Sequence, residues 1–175
     1  MLIKKTLAGI VSSLIVATVL WGQGTPQTSR AVANLEPTQG NTAKGTVTFE
    51  ETGGKVSATA KVSGLKAGKH GFHIHEKGDC SAPDAASAGG HYNPESKAHG
   101  TPDAPEHHTG DLGNVEADAK GDASLSRTYD FLSLSGPNSI VGKAVIVHIQ
   151  EDDFKTQPTG NAGARVACGV IQPKP

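Results

Sequence analysis

The sequence predicts an all-β domain: about eight short antiparallel strands in a Greek-key barrel or sandwich of the immunoglobulin-like kind. Three observations predict it. Glycine (22) and proline (10) are plentiful while aromatics make up only 4%, which suits many turns and small side chains better than a helical bundle. Apolar residues alternate with polar ones in short runs separated by Gly/Asp turns. The chain shows no internal repeat, no heptads and no convincing long helix. Its 175 residues suffice for one core. A net charge of -1 gives no basic footprint for nucleic acid and no acidic tail.

Taken in order, Lys4 and Lys5 precede an apolar run from Leu7 to Trp21. That run has the size of a secretory h-region and is short for a membrane span. The expectation is a signal peptide over 1–24, its cleavage site no later than the A-x-A of Ala31-Val32-Ala33, with an uncleaved anchor as the alternative. No cysteine follows to carry a lipid. The remainder is then exported, periplasmic or extracellular, without stable membrane association after cleavage. Residues 25–42, rich in Thr, Gln, Pro and Asn, read as a flexible linker, and the domain as 43–175.

KGTVTFEE alternates Val47 and Phe49 against Thr46, Thr48 and Glu50. After the turn at Thr52-Gly53-Gly54, KVSATAKVSGL alternates again, so the two form a hairpin. GFHIHE is a short strand. From Lys77 to Leu112 no pattern appears, and so long a structureless loop is commonly functional. NVEAD, a turn at Lys120-Gly121-Asp122, ASLSRTYDF, KAVIVHIQ and ARVACGVI complete the strands. Cys80 and Cys168 are the only cysteines. In an exported chain one disulfide is the default, contributing roughly 4 kcal/mol by loop closure, with two free buried thiols as the alternative. A zinc site built on both is disfavoured because neither belongs to a C-x-x-C pair.

Histidine placement points to chemistry. In a strand, residues i and i+2 face the same side, so His73 and His75 share a face and Ile74 points to the core. The long loop adds His91, His99, His107, His108 and Asp111, and His148 sits in the most apolar strand, where a buried ring needs a partner. One such histidine is most simply a hydrogen-bonded core residue; the whole set is a metal centre on long loops.

The segments GFHIHEKGDC, SAGGHYNP, KAHG, HTGDLGNV, VIVHIQEDD and GNAGARVACGVI, in that order from Gly71 to Ile171, resemble the copper/zinc superoxide dismutases, in the bacterial exported type. That family is itself a known sandwich fold. The resemblance implies one copper and one zinc ion per chain: copper on His73, His75, His91 and His148; zinc on His91, His99, His108 and Asp111; Asp152 and His70 hydrogen-bonding the ligands from behind. Four imidazoles suit tetragonal Cu(II), and three imidazoles with a carboxylate suit closed, structural zinc. The implied reaction is dismutation of superoxide to dioxygen and hydrogen peroxide by alternate reduction and reoxidation of copper, with His91 as bridge and proton carrier and Arg165 guiding the anion. Arg165 stands three residues before Cys168, so a disulfide there would help to hold it. His107 is expected to be exposed.

Two departures from the animal pattern stand out. The loop from Asp152 to Gly163 is short and lacks an acidic–basic cluster, with Lys155 unmatched, and Cys80 lies further ahead of His91. A homodimer is left open, because its contact differs between the animal and bacterial groups. The rival readings are a non-enzymatic copper/zinc-binding module of the same fold and a zinc hydrolase, which would need an open zinc position.

Overall fold

Alternation in the sequence becomes alternation of burial. The computed structural model describes residues 29–175; the expected signal peptide over 1–24 lies outside them. Within Lys55–Ser63 (β3), Val56, Ala58, Ala60 and Val62 are buried and the residues between them are exposed. Together with Ser29–Pro37 (β1), Lys44–Thr52 (β2), Gly68–His75 (β4), Asp111–Ala117 (β5), Ala123–Tyr129 (β6), Ala144–His148 (β7) and Arg165–Lys174 (β8), it forms a closed antiparallel barrel in the order β1-β2-β3-β6-β5-β4-β7-β8. The jump from β3 to β4, three places along, gives the Greek-key connectivity. Only Ala117↔Ala123 joins β5 to β6, and this thin seam accounts for the sandwich character.

One correction concerns the amino-terminal segment. The sequence reads 25–42 as linker, whereas Ser29–Pro37 is a full strand paired with both β2 and β8. Its inward residues are Ala31, Ala33 and Leu35, each at most 1% exposed. Ala31 lies opposite Phe49 and Ala33 opposite Val47, so small residues accommodate large ones across the pair. Alanines give almost no hydrophobic alternation, which hides the strand. Cleavage as late as Ala33 would cut through it.

Two strands are buried on both sides, and they position the site. On β4, Phe72 and Ile74 join the barrel core while His73 and His75 face outward. On β7, Val145 and Val147 face inward; Ala144 and Ile146 pack outward against Ala85, Ala88 and Cys168. A strand covered on both faces reads as a continuous apolar run, as KAVIVHIQ does. The cover is the long loop, tied to β8 by the Cys80–Cys168 disulfide (Cα–Cα 5.8 Å). Register places Ala144 opposite His75 and Ile146 opposite His73, so His148 follows on the same outer face. Irregular pairing interrupts the ladder beside His73 and beside His148; such bulges re-aim side chains next to functional sites.

Candidate metal centre

The loop is seated on β4 by its backbone. Tyr92 N–H donates to Ile74 O, Ile74 N–H to Gly110 O, and Gly110 N–H to Tyr92 O, each at 2.8 Å. A Cβ at Gly110 would lie 2.2 Å from Ile74 O, so only glycine permits this approach. The docking carries His91, His108 and Asp111 to the outward histidines of β4 and β7.

His73, His75, His91 and His148 then form one buried cluster; His91, His99, His108 and Asp111 form a second, and in each the potential donor atoms lie within 4.8 Å of one another. The ring of His148 is 5.0 Å from that of His73 and 5.6 Å from that of His75. His91 belongs to both clusters, with its ring 4.0 Å from His73 and 5.5 Å from His108.

Four of these rings, His73, His75, His99 and His148, are held by one nitrogen and leave the other free. His75 Nδ1 donates to Gly89 O (2.8 Å) and His148 Nδ1 to Gly163 O (3.0 Å). His73 Nε2 and His99 Nε2 donate to the two oxygens of Asp152, at 2.8 and 2.9 Å. His91 Nδ1 lies 2.8 Å from Asp111 Oδ1, so one of its nitrogens faces each cluster. What remains is a convergent set of buried nitrogens without a hydrogen-bond partner: His73 Nδ1, His75 Nε2, His91 Nε2, His99 Nδ1 and His148 Nε2. His99 Nδ1 lies 3.0 Å from Asp111 Oδ2 without the alignment of a hydrogen bond. Leaving a buried polar atom unsatisfied costs about 1–3 kcal/mol. Four of the five nitrogens, on His73, His75, His91 and His148, belong to the first cluster and the fifth, on His99, to the second; both arrangements fit metal coordination, and the donor types suit copper for the first cluster and zinc for the second.

Electrostatics favour the ligating form at three rings of the first cluster. Burial pushes His148 down to about 3 and His75 well below its ordinary value. Burial also takes His91 down to about 4, against the pull of Asp111. Neutral imidazoles, the ligating form, are therefore the stable state of these three rings at neutral pH. Burial likewise opposes charge on His99, but Asp111 and Asp152 outweigh it and raise the ring to about 9. Burial works against ionising Asp111 and Asp152 too. Their histidine partners nevertheless hold both carboxyls far below the usual range.

The expected flanking residues come to the same place. His70 is buried with Nδ1 2.8 Å from His148 O and Nε2 2.8 Å from Lys66 O. Arg165 stands opposite His148 in register. Its guanidinium donates to Ala85 O and Gly89 O, and Gly89 O is the same carbonyl that holds His75. Burial lowers the guanidinium's pKa, with Asp84 opposing.

His107, expected to be exposed, is buried instead. Its ring lies 4.3 Å from Phe131 and its Nδ1 is 2.8 Å from His108 O. Nothing in the local sequence around His107 announces Phe131 as a neighbour. Tyr129, whose hydroxyl donates to Leu112 O, and Gln157, which pairs with the backbone of His99, escaped sequence reasoning for the same reason.

Comparison with known proteins agrees with this arrangement. The sequence model of the family described as copper/zinc superoxide dismutase (SODC) matches residues 43–171. An extracellular superoxide dismutase [Cu-Zn] of Caenorhabditis elegans is 49% identical over 133 residues, covering 73% of this chain and 60% of the nematode protein. The match thus spans about three fifths of that relative's length. Superoxide dismutase [Cu-Zn] 2 of Brassica juncea is 46% identical over 149 residues, covering 81% of this chain and 96% of the plant protein. A crystal structure of the clock protein EA4 superposes with a TM-score of 0.76 at 44% identity, covering 88% of this chain and 99% of that one.

Proposed function

The chain belongs to the copper/zinc superoxide dismutase family, and from that premise we propose that it converts superoxide to dioxygen and hydrogen peroxide. In this reading His73, His75, His91 and His148 hold a copper ion. His91, His99, His108 and Asp111 hold a zinc ion, one of each per chain. The observation that carries it is the gathering of partnerless buried nitrogens into two donor sets that share His91.

Copper held by His73, His75, His91 and His148 would supply the one-electron redox chemistry that dismutation requires. The chain supplies the rest. Carbonyls of Gly89 and Gly163 and the carboxylate of Asp152 fix the tautomers, so that lone pairs face the ion. Arg165, held open by two carbonyls, is the fixed positive charge that draws in and orients the small anion. His91 Nε2, facing the copper set, is the atom on which the chain carries a proton between the half-reactions. A metal-storing module would have no use for Arg165, and the second set's four donors leave no open position for a zinc hydrolase.

The Cys80–Cys168 disulfide and the extracellular nematode relative support export, and periplasmic or extracellular residence completes the proposal. The homodimer belongs to it with no contact surface assigned. The test is metal analysis and superoxide turnover on the loaded protein. One copper and one zinc per chain are expected, with turnover at least about a hundredfold lower in His148→Ala and zinc retained. Turnover no higher than that of free copper, or full turnover in the variant, would refute the reading.

A further inference from the structure

We infer that Gln157 is a positioning residue for zinc: its side-chain amide clamps the peptide of His99 and aims His99 Nδ1 at the ion. This rests on the reading of His99 as a zinc ligand. Gln157 lies 58 positions from His99 in sequence. Its Oε1 accepts from His99 N–H at 2.8 Å, and its Nε2 donates to His99 O at 2.8 Å. One side chain thus satisfies both backbone groups of a single residue, much as a neighbouring strand would.

The rest of His99 is fixed from the same direction. Its Nε2 donates to Asp152 Oδ1, and Asp152 and Gln157 belong to one short loop. Gly160 in that loop has a positive φ of +66, and a Cβ there would sit 1.8 Å from Asp152 Oδ1 and 2.6 Å from His99 Nε2, so bare backbone lies against this contact. The loop that presents Gln157 is itself braced. Asp153 Oδ1 accepts from Lys155 N–H and Thr156 N–H, Gly160 N–H donates to Thr156 O, and Asp153 N–H donates to Gly160 O. With Gln157 and Asp152 engaged, Nδ1 is the one polar atom of His99 without a hydrogen bond. A loop poor in steering charges therefore works as a brace for the second metal.

A brace of this kind should move zinc and spare copper. In Gln157→Ala, zinc affinity measured by chelator competition is expected to fall about tenfold or more, within the range for outer partners of metal ligands. Copper affinity, measured with zinc saturating, should stay within about threefold. Cobalt(II) substituted for zinc should show altered d–d bands, and the His99 amide should exchange faster by at least about tenfold. Gln157→Glu keeps the shape and the acceptor but loses the donor to His99 O. If the alanine variant fails to fold, the glutamate variant decides by the zinc, copper and cobalt criteria alone, because it keeps the acceptor that protects the His99 amide. Zinc affinity within threefold of the parent with unchanged cobalt bands overturns the inference, as does an equal loss of both metals, which would mark a merely structural contact. A parent that binds no zinc, or a His99→Ala variant that binds it undiminished, would instead sink the zinc-site reading itself.

Discussion

Replacing Arg165 with glutamate is expected to lower superoxide turnover by at least about a hundredfold while copper and zinc stay bound. A hundredfold corresponds to about 2.7 kcal/mol, and an introduced like charge facing an anion costs several kcal/mol. Arg165 donates only to backbone carbonyls, those of Ala85 and Gly89, and to none of the ligand atoms, so metal content should survive. Because field steering is screened over roughly 10 Å at 0.1 M salt, the parent's rate should fall as salt rises, an effect already known in superoxide dismutases. The variant's rate should be flat or rise. Turnover at two ionic strengths, beside metal content, checks both statements. Full activity of the variant at low salt would remove Arg165 from the mechanism.

Asp152→Ala is expected to weaken both metals at once, each by roughly ten- to a hundredfold. The carboxylate is fully buried and spans His73 Nε2 and His99 Nε2, one ring from each donor set. Without it two buried N–H groups lose their acceptor, and nothing then specifies the tautomer that leaves Nδ1 free. The carboxylate is itself seated by Phe154 N–H on Oδ1, and Asn114 bonds its backbone on both sides, so the effect should concentrate on the rings and spare the barrel. Titration of each metal into the stripped variant reads it. A loss confined to one metal would break the proposed coupling.

These residues differ in how far the sequence reveals them. His73 and His75 are legible because strand period alone puts them on one face, and KAVIVHIQ is legible because a doubly covered strand must be apolar throughout. Asp152 stands out only through the family resemblance, since by itself it reads as a turn acid. β1 is not legible: Ala31 and Ala33 carry too little hydrophobic contrast, and their burial depends on Phe49 and Val47 across the pair. Gln157 and His107 are silent for a related reason, because their partners are brought up by loop docking and leave no local period. What the sequence encodes well is the faces of strands; what it encodes poorly is which loop settles on them.

The central claim is that His91 joins two different ions, and magnetic coupling reads this most directly. With copper(II) in the first site and cobalt(II) in place of zinc, a shared imidazolate couples the two spins. The account predicts that the copper EPR signal largely disappears relative to the copper–zinc protein. An undiminished copper signal with both sites filled would contradict it.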